Sequence, residues 1–205
     1  MKKLFLTSSF AGVADQFPAF AGADLAGKTV TFIPTAAIPE ESDDYVWADR
    51  DALTALGLKI DILELTAATP EAISEKLAQN DFIYASGGNT FFLLQAVRAS
   101  GADRQILAQI ARGKIYIGAS AGSMLMAPTI EYAKIMDSPA AAPGLQSFDA
   151  LAAVAFGPLP HFRDAPYERE TVQTLEQYGD QMKLIPITNA QAIAVRGDRV
   201  EILPV

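Results

Sequence analysis

The sequence predicts an α/β fold built on a doubly wound, mostly parallel sheet. Three observations carry this prediction. Short apolar segments alternate with helical patterns along the whole chain. Each apolar segment is followed by Gly, Ser, Thr or Pro, which is typical of buried parallel strands that end in loops. The 205 residues contain no repeat and no interdomain linker, so a single domain over residues 1–205 is expected.

The first half of the chain gives the clearest elements. Buried strands are predicted at residues 3–6, 29–33, 59–63, 82–85 and 114–117. A helix is predicted at 44–56, and Thr69-Pro70-Glu71 is typical of a helix start because Pro favours the first helical position. Asn89 or Thr90 can cap the next helix, and a further helix is predicted at 103–111.

The second half is less regular. Residues 131–148 contain Pro139, Pro143 and Gly144 and are predicted to form a long excursion, and long loops in compact domains are often functional. A strand is then predicted at 151–156, a helix at 166–178, and a hairpin at 192–203 that turns at Gly197-Asp198. Ligands of such sheets bind beyond the carboxyl ends of the strands, so the loops at 7–11, 34–39, 86–89 and 118–122 should converge there.

Composition excludes several classes of function. The formal net charge is −8 and no cluster of Lys and Arg is present, which argues against a nucleic-acid partner. The absence of cysteine excludes disulfides, thiolate catalysis and zinc–sulfur sites, and neither a cofactor nor a metal is expected. The N-terminal apolar run stops at Leu6, short of a secretory signal, and no segment is long enough to span a bilayer. A cytoplasmic protein without a membrane partner is therefore expected.

The turn at Gly118, Ser120 and Gly122 is the strongest chemical signal. It forms a G-x-S-x-G pattern directly after an apolar strand and before a helical segment. This arrangement holds a serine hydroxyl on a tight strand-to-helix corner where a substrate carbonyl can reach it. The alternative interpretation is a serine that only caps the helix. We expect Ser120 to be a nucleophile.

His161 is the single histidine of the chain. If Ser120 needs an imidazole base, His161 is the one residue that can supply it in cis, although a lone histidine can also be structural. A carboxylate should then orient the imidazole. Asp137 is favoured because it lies between serine and histidine, an order that builds this geometry in known enzymes. Asp149, Asp164 and Glu131 are the alternatives.

The loop Ser86-Gly87-Gly88-Asn89-Thr90 follows a predicted strand and opens a helix. Its glycines let the backbone approach a ligand closely. The Gly88 N–H is a candidate oxyanion donor, together with the N–H of Ala121 directly after the serine. A tight turn with an Asn cap is the alternative, and no phosphate-binding motif is present.

These segments together resemble the peptidase E (α-aspartyl dipeptidase) and cyanophycinase family of serine peptidases. The resemblance spans nearly the whole chain. It is specific because several motifs occur together; no single motif would be specific alone. The matching segments are residues 82–98 with Gly-Gly-Asn-Thr, the elbow at 118–122, Pro128-Thr129-Ile130, Asp137 and Pro160-His161-Phe162.

The resemblance implies a flavodoxin-like fold related to class I glutamine amidotransferases, with serine in place of their cysteine. It implies a triad of Ser120, His161 and Asp137, with Glu131 open as the third member because some relatives use glutamate. It also implies an oxyanion hole from the amides of Gly88 and Ala121 and a substrate contact from Asn89.

The segment after His161-Phe162 departs from the family pattern, which has a Gly-rich, basic stretch there, so preference for an N-terminal aspartate stays open. Arg163 or Arg169 could meet an acidic substrate side chain, or could pair with neighbouring acids. The predicted function is a serine peptidase that hydrolyses small peptides through an acyl-enzyme, as a monomer or homodimer. The alternatives are an esterase-type α/β hydrolase and a catalytically silent ligand-binding homologue.

Overall fold

The structure is a computed structural model that describes residues 1–204. Strands and helices alternate through the first 124 residues. The helices are α1 (Phe17–Ala21), α2 (Asp44–Ala55), α3 (Pro70–Gln79), α4 (Thr90–Ala99), α5 (Ala102–Ala111), α6 (Ala121–Met124) and α7 (Glu168–Tyr178). The strands are β1 (Lys3–Thr7), β2 (Thr29–Ile33), β3 (Lys59–Ile62), β4 (Phe82–Ala85), β5 (Ile115–Ala119), β6 (Gly157–Leu159), β7 (Leu184–Pro186), β8 (Ala192–Arg196) and β9 (Arg199–Leu203).

The central sheet has seven strands in the order β3-β2-β4-β5-β1-β8-β9. Strands β1 to β5 are mutually parallel, β8 runs antiparallel to β1, and β9 runs antiparallel to β8. The prediction of a mostly parallel sheet with flanking helices is therefore confirmed. Thr7, at the end of β1, pairs with Ala192, at the start of β8. The loop that precedes β8 consequently lies at the same sheet edge as the loops that follow β1, β4 and β5.

Apolar side chains cover both faces of the sheet. Along β1, Leu4 and Leu6 pack into one cluster and Phe5 into the other, because successive side chains of a strand point to opposite faces. Helices α3 to α6 cover the first face, and α1 and α2 cover the second. Strands β1, β2, β4 and β5 are almost entirely buried, so they read as continuous apolar segments in the sequence. Strand β3, at the edge of the sheet, is partly exposed, so the prediction that residues 59–63 form a buried strand is wrong in its burial.

Most predicted elements are present, but the strand predicted at residues 151–156 is wrong. This segment has no regular structure. The N–H groups of Leu151, Ala152 and Val154 donate instead to carbonyls of residues 125–127, and Ala152 has a φ of 51° that interrupts extended backbone. The apolar pattern arises because Leu151 and Val154 are buried against the core. The predicted hairpin at 192–203 is confirmed, with Gly197 at a φ of 62° in its turn.

The predicted excursion at residues 131–148 contains two short 3₁₀ helices, Glu131–Ile135 and Pro139–Ala141. It lies over the start of α4, where the side chain of Asn89 donates to the carbonyl of Ser138 at 3.1 Å. Within residues 1–204, no helix has the length and apolar character that crossing a membrane requires.

Candidate active site

Ser120 lies on the turn between β5 and α6. Its φ of 46° and ψ of −108° fall outside the regions that ordinary residues favour, and such backbone strain is typical of functional sites. The glycines on either side are required by space. A Cβ on Gly122 would lie 2.2 Å from the carbonyl oxygen of Ala85, and a Cβ on Gly118 would lie 2.7 Å from Gly122. The sequence motif therefore forms the predicted elbow.

His161 faces Ser120 across the sheet edge. Its Nε2 lies 2.9 Å from Ser120 Oγ, within hydrogen-bond reach. The loop that carries His161 is held to the β1 end of the sheet, because the His161 N–H donates to Ser8 Oγ at 2.9 Å. His161 itself has a φ of 59°. The structure thus brings together the serine and the single histidine that the sequence singled out.

The third partner is Asn189, which sequence reasoning missed. Its Oδ1 lies 2.7 Å from His161 Nδ1. An amide oxygen only accepts hydrogen bonds, so this contact puts the proton on Nδ1 and leaves Nε2 free to accept from Ser120. An Asn in this role is known from Cys-His-Asn proteases. The sequence could have indicated Asn189 only through the topology of the sheet. Asn189 lies just before β8, and because β8 is antiparallel to β1 it starts where β1 ends, at the edge that carries Ser120.

Asp164 holds the backbone of Asn189. Its Oδ2 accepts the backbone N–H of Asn189 at 2.5 Å. Burial lowers the pKa of His161 below its ordinary value, while the contact with Asn189 and the charge of Asp164 act in the opposite direction. The imidazole is therefore neutral at neutral pH and can accept a proton.

The structure corrects the predicted position of Asp137. Its Oδ2 accepts the N–H of Thr90 at 2.9 Å and the Thr90 hydroxyl at 2.5 Å, and Nδ1 of His161 is paired with Asn189 instead. The physical reason is the course of the excursion, which crosses the start of α4 and places the Asp137 carboxylate on Thr90.

The alternative acids do not orient the imidazole either. Glu131 is exposed and pairs with Lys134 at 2.7 Å. Asp149 accepts from the hydroxyl of Ser147. Asp164 contacts the backbone of Asn189 and not the imidazole ring. An amide, and not a carboxylate, thus lies at Nδ1.

The two predicted oxyanion donors lie beside Ser120, one through the cleft and one through the chain. Gly88 lines the same cleft as Ser120, and Ala121 directly follows the serine. Within residues 1–204, neither N–H donates to another group of the protein. Gly88 has a φ of 127°, and a Cβ there would lie 2.2 Å from the carbonyl oxygen of Ala36. This close approach explains why glycine is required.

The predicted substrate contacts are not brought to the cleft. The side chain of Asn89 caps α4 by accepting from the N–H of Phe92 at 3.0 Å, and its amide donates to Ser138. Arg163 is exposed and stacks over Phe162, with 5.2 Å from its guanidinium carbon to the ring centroid. Neither of these residues, nor Arg169, lines the cleft.

The cleft has a volume of about 370 Å³. One part of the lining, here called the Ser120 wall, consists of Ser120, His161 and Asn189. A second part, here called the acidic wall, consists of aromatic and acidic side chains: Glu40, Tyr45, Asp137 and Tyr167. Burial raises the pKa of Asp137 from 3.8 to about 6, with Thr90 acting in the opposite direction and Glu40 raising it further. No Lys or Arg among the described residues lines this cleft.

A metal centre is not formed by the residues that the structure describes, because no three potential ligands among His, Asp and Glu cluster there. What the cleft can do chemically is proton transfer. A hydroxyl, an imidazole and an amide oxygen form one hydrogen-bonded chain, next to two backbone N–H groups that have no acceptor within residues 1–204.

Comparison with known proteins gives matches to peptidases. The model of peptidase family S51 matches residues 4–203. An uncharacterized peptidase of Listeria monocytogenes is 46% identical over 200 residues, which cover 98% of this chain and 97% of that one. Peptidase E of Salmonella arizonae is 35% identical over 150 residues, 73% of this chain and 62% of that protein. The crystal structure of a candidate Peptidase E protein from Listeria monocytogenes superposes with a TM-score of 0.95 at 45% identity, covering 100% of this chain and 99% of that one.

Proposed function

The chain belongs to peptidase family S51, and on that premise we propose that it is a serine-type peptidase that hydrolyses small peptides through an acyl-enzyme on Ser120. The family match also confirms the resemblance drawn from the sequence. The observation that carries the proposal is the hydrogen-bonded chain from Ser120 Oγ through His161 to Asn189 Oδ1, at 2.9 and 2.7 Å. We further assign the sheet to the flavodoxin-like class, related to class I glutamine amidotransferases; its parallel strands and flanking helices support this.

In the proposed reaction, Ser120 Oγ attacks the peptide carbonyl while Nε2 of His161 takes the hydroxyl proton. The N–H groups of Gly88 and Ala121 donate to the oxyanion; one such donor is typically worth about 2.7–4 kcal/mol. His161 then protonates the leaving amine, and the C–N bond breaks. Water, deprotonated by His161, attacks the ester and releases the acid and Ser120.

Asn189 replaces the expected carboxylate in this scheme. Its amide oxygen fixes the tautomer and the ring plane of His161 but carries no charge. The negative charge that stabilises the imidazolium comes from Asp164, one hydrogen bond further away. Asp164 is thus a positioning residue that acts through Asn189.

The cleft size supports a small substrate. A volume of about 370 Å³ lies at the lower end of the range of small-molecule sites, and fits a dipeptide or tripeptide better than an extended chain.

Labelling with an uncharged serine-directed phosphonate tests the proposal. The unmodified protein should gain one phosphonyl group, and Ser120→Ala should gain none. Ser42→Ala removes an exposed serine outside the cleft and should label like the unmodified protein. Absence of labelling at Ser120 would contradict the proposal and favour a silent binding protein. Hydrolysis of simple esters but no peptide amide would favour the esterase.

A further inference from the structure

We propose that Glu40 and Asp137 form a subsite for an ammonium group of the peptide, carried next to the scissile carbonyl. This inference rests on the proposed peptidase function, because it assigns the specificity of the same cleft. The ammonium group is either the free α-amino group of the N-terminal residue or the side chain of a lysine-like residue.

Asp137 has one oxygen in use and one available. Oδ2 accepts both donors of Thr90, which fixes the carboxylate at the start of α4. Oδ1 has no hydrogen-bond partner within residues 1–204, although the residue lines the cleft. Asp137 is partly exposed, and Oδ1 is not one of the fully buried polar atoms without a partner, so this oxygen is open to a donor that a ligand supplies. The proposed catalytic steps make no use of it.

Glu40 adds a second charge on the same wall. Its carboxylate makes no hydrogen bond or ion pair within the described part of the chain, and its negative charge contributes to the raised pKa of Asp137. A third acid of the cleft, Asp49, differs because its oxygens accept from the Tyr84 hydroxyl at 2.6 Å and from the N–H of Ala11 at 2.8 Å. Two carboxylates are therefore left to meet a cation.

Two aromatic side chains connect this wall to the catalytic base. The ring centroid of Tyr167 lies 5.3 Å from that of His161. Burial raises the pKa of Tyr45 and of Tyr167, and the charges of Glu40 and Asp137 raise both further, so both carboxylates act on both phenols. Tyr167 is therefore a neighbour of both the catalytic base and the two carboxylates, and all of them line one cleft of about 370 Å³, which is within the reach of an amine attached near the scissile bond.

The chemistry of this wall selects a cation. An ammonium group has three donors and no acceptor, which suits Asp137 Oδ1, Glu40 and the face of a tyrosine ring. An acidic side chain would meet two like charges in a cleft where residues 1–204 place no Lys or Arg. The acid preference left open by the sequence is therefore replaced by a preference for an amine.

Binding to the Ser120→Ala protein tests the subsite without depending on catalysis. The probes are three dipeptide amides with alanine, lysine or norleucine at the N-terminus, each with a free and an acetylated α-amino group, measured by titration calorimetry. Loss of a charged hydrogen bond predicts a difference in Kd of about 10- to 100-fold between ammonium-bearing and neutral partners. If acetylation weakens alanyl and norleucyl peptides, the α-amino group is the ligand. If the lysyl peptide binds more tightly than the norleucyl peptide in both the free and the acetylated form, the side chain is the ligand.

Two variants then assign the effect to residues. Asp137→Asn and Glu40→Gln, each combined with Ser120→Ala, should shrink the difference in Kd to less than about threefold. Glu41→Gln, an exposed neighbour that does not line this cleft, should leave it unchanged. Because Glu40 is exposed, its variant remains informative if Asp137→Asn fails to fold.

Failure of the subsite and failure of the peptidase proposal give different results. Equal Kd values for all six peptides, or tighter binding of an aspartyl peptide, overturn the subsite even where phosphonate labels Ser120. Discrimination of amines by Ser120→Ala, together with an unlabelled native protein, supports the subsite and overturns the catalytic proposal.

Discussion

The two walls of the cleft differ in how their polar groups are partnered. On the Ser120 wall, the hydroxyl, both imidazole nitrogens and the amide oxygen of Asn189 form one continuous chain of hydrogen bonds, and Asp164 accepts the backbone N–H of Asn189. On the acidic wall, one carboxylate oxygen of Asp137 accepts hydrogen bonds, and the Glu40 carboxylate accepts none within the described residues. The first wall is complete before substrate arrives, as proton transfer requires. The second is complete only with a ligand, as recognition requires.

The largest effect is expected from breaking the first wall at its base. His161→Asn removes the imidazole while keeping a residue type that tolerates the φ of 59° at this position. Peptide hydrolysis should fall by about 10⁴-fold or more, the scale reached when a member of a serine triad is removed. Steady-state kinetics measure the loss, and an unchanged melting temperature shows that the fold is retained. Activity within tenfold of the unmodified protein would refute the serine–histidine pair.

A smaller loss is expected when the orienting amide is removed. Asn189→Ala keeps the backbone N–H that Asp164 accepts but leaves Nδ1 of His161 without its acceptor, so the productive tautomer is no longer fixed. We expect kcat to fall roughly 10²- to 10⁴-fold with little change in KM. Gln146→Ala, which removes an exposed amide outside the cleft, serves as the control.

Asp137→Asn gives the matched comparison for this prediction. On the acidic wall the loss should appear in KM for amine substrates and much less in kcat. The opposite pattern, with a kcat loss of about 10⁴-fold in Asp137→Asn and an active Asn189→Ala, would restore the carboxylate triad that the sequence predicted.

The sequence predicts the two walls unequally because their contacts differ in range. The elbow at Ser120 is a local strand–turn–helix unit, and the glycines it needs are visible as a motif. The contact of His161 with Asn189 depends on β8 pairing antiparallel to β1, which brings together loops far apart in the chain. The serine–histidine pattern also predicts a carboxylate as the partner of His161 Nδ1, and not an amide.

The error at Asp137 has a similar origin. Its place between Ser120 and His161 in the sequence fits a known chain order, but that order does not determine which way an irregular loop runs. Proline and glycine in residues 131–148 indicate a loop without giving its direction. The capping contacts with Thr90 and Asn89 determine it, and these form only in the folded chain.

Ionisation of Asp137 should lower the free energy of unfolding by a measurable amount. The folded-state pKa of Asp137 is raised from 3.8 to about 6, so the folded protein holds this proton more tightly than the unfolded chain does. The contribution of Asp137 to the free energy of unfolding is therefore fully present below about pH 4, decreases as pH rises through about 6, and is lost above it. A shift of this size corresponds to at most about 3 kcal/mol, less where solvent screens the charge.

Asp137→Asn removes this ionisation while keeping an oxygen that can accept from Thr90. The free energy of unfolding of the variant, relative to that of the unmodified protein, should therefore rise between pH 4 and pH 7. Urea titrations at a series of pH values measure it, with Asp149→Asn as a control at an exposed acid outside the cleft. A relative stability that does not change with pH would show that Asp137 is not strained by burial.

The smallest effect concerns the pH profile and separates the two walls in one experiment. His161 must be neutral to accept the Ser120 proton, and burial holds its pKa below the ordinary 6.5, against the opposing effects of Asn189 and Asp164. For an N-acetylated substrate, kcat/KM should thus lose half its value only at a pH below 6.5, since this substrate makes no use of the acidic wall. An amine-bearing substrate also needs ionised Asp137, which faces Glu40, Tyr45, Tyr132 and Tyr167, so its kcat/KM should fall more steeply and begin to fall near pH 6. Identical pH profiles of kcat/KM for the two substrates would mean that His161 alone titrates and that the acidic wall takes no part in binding.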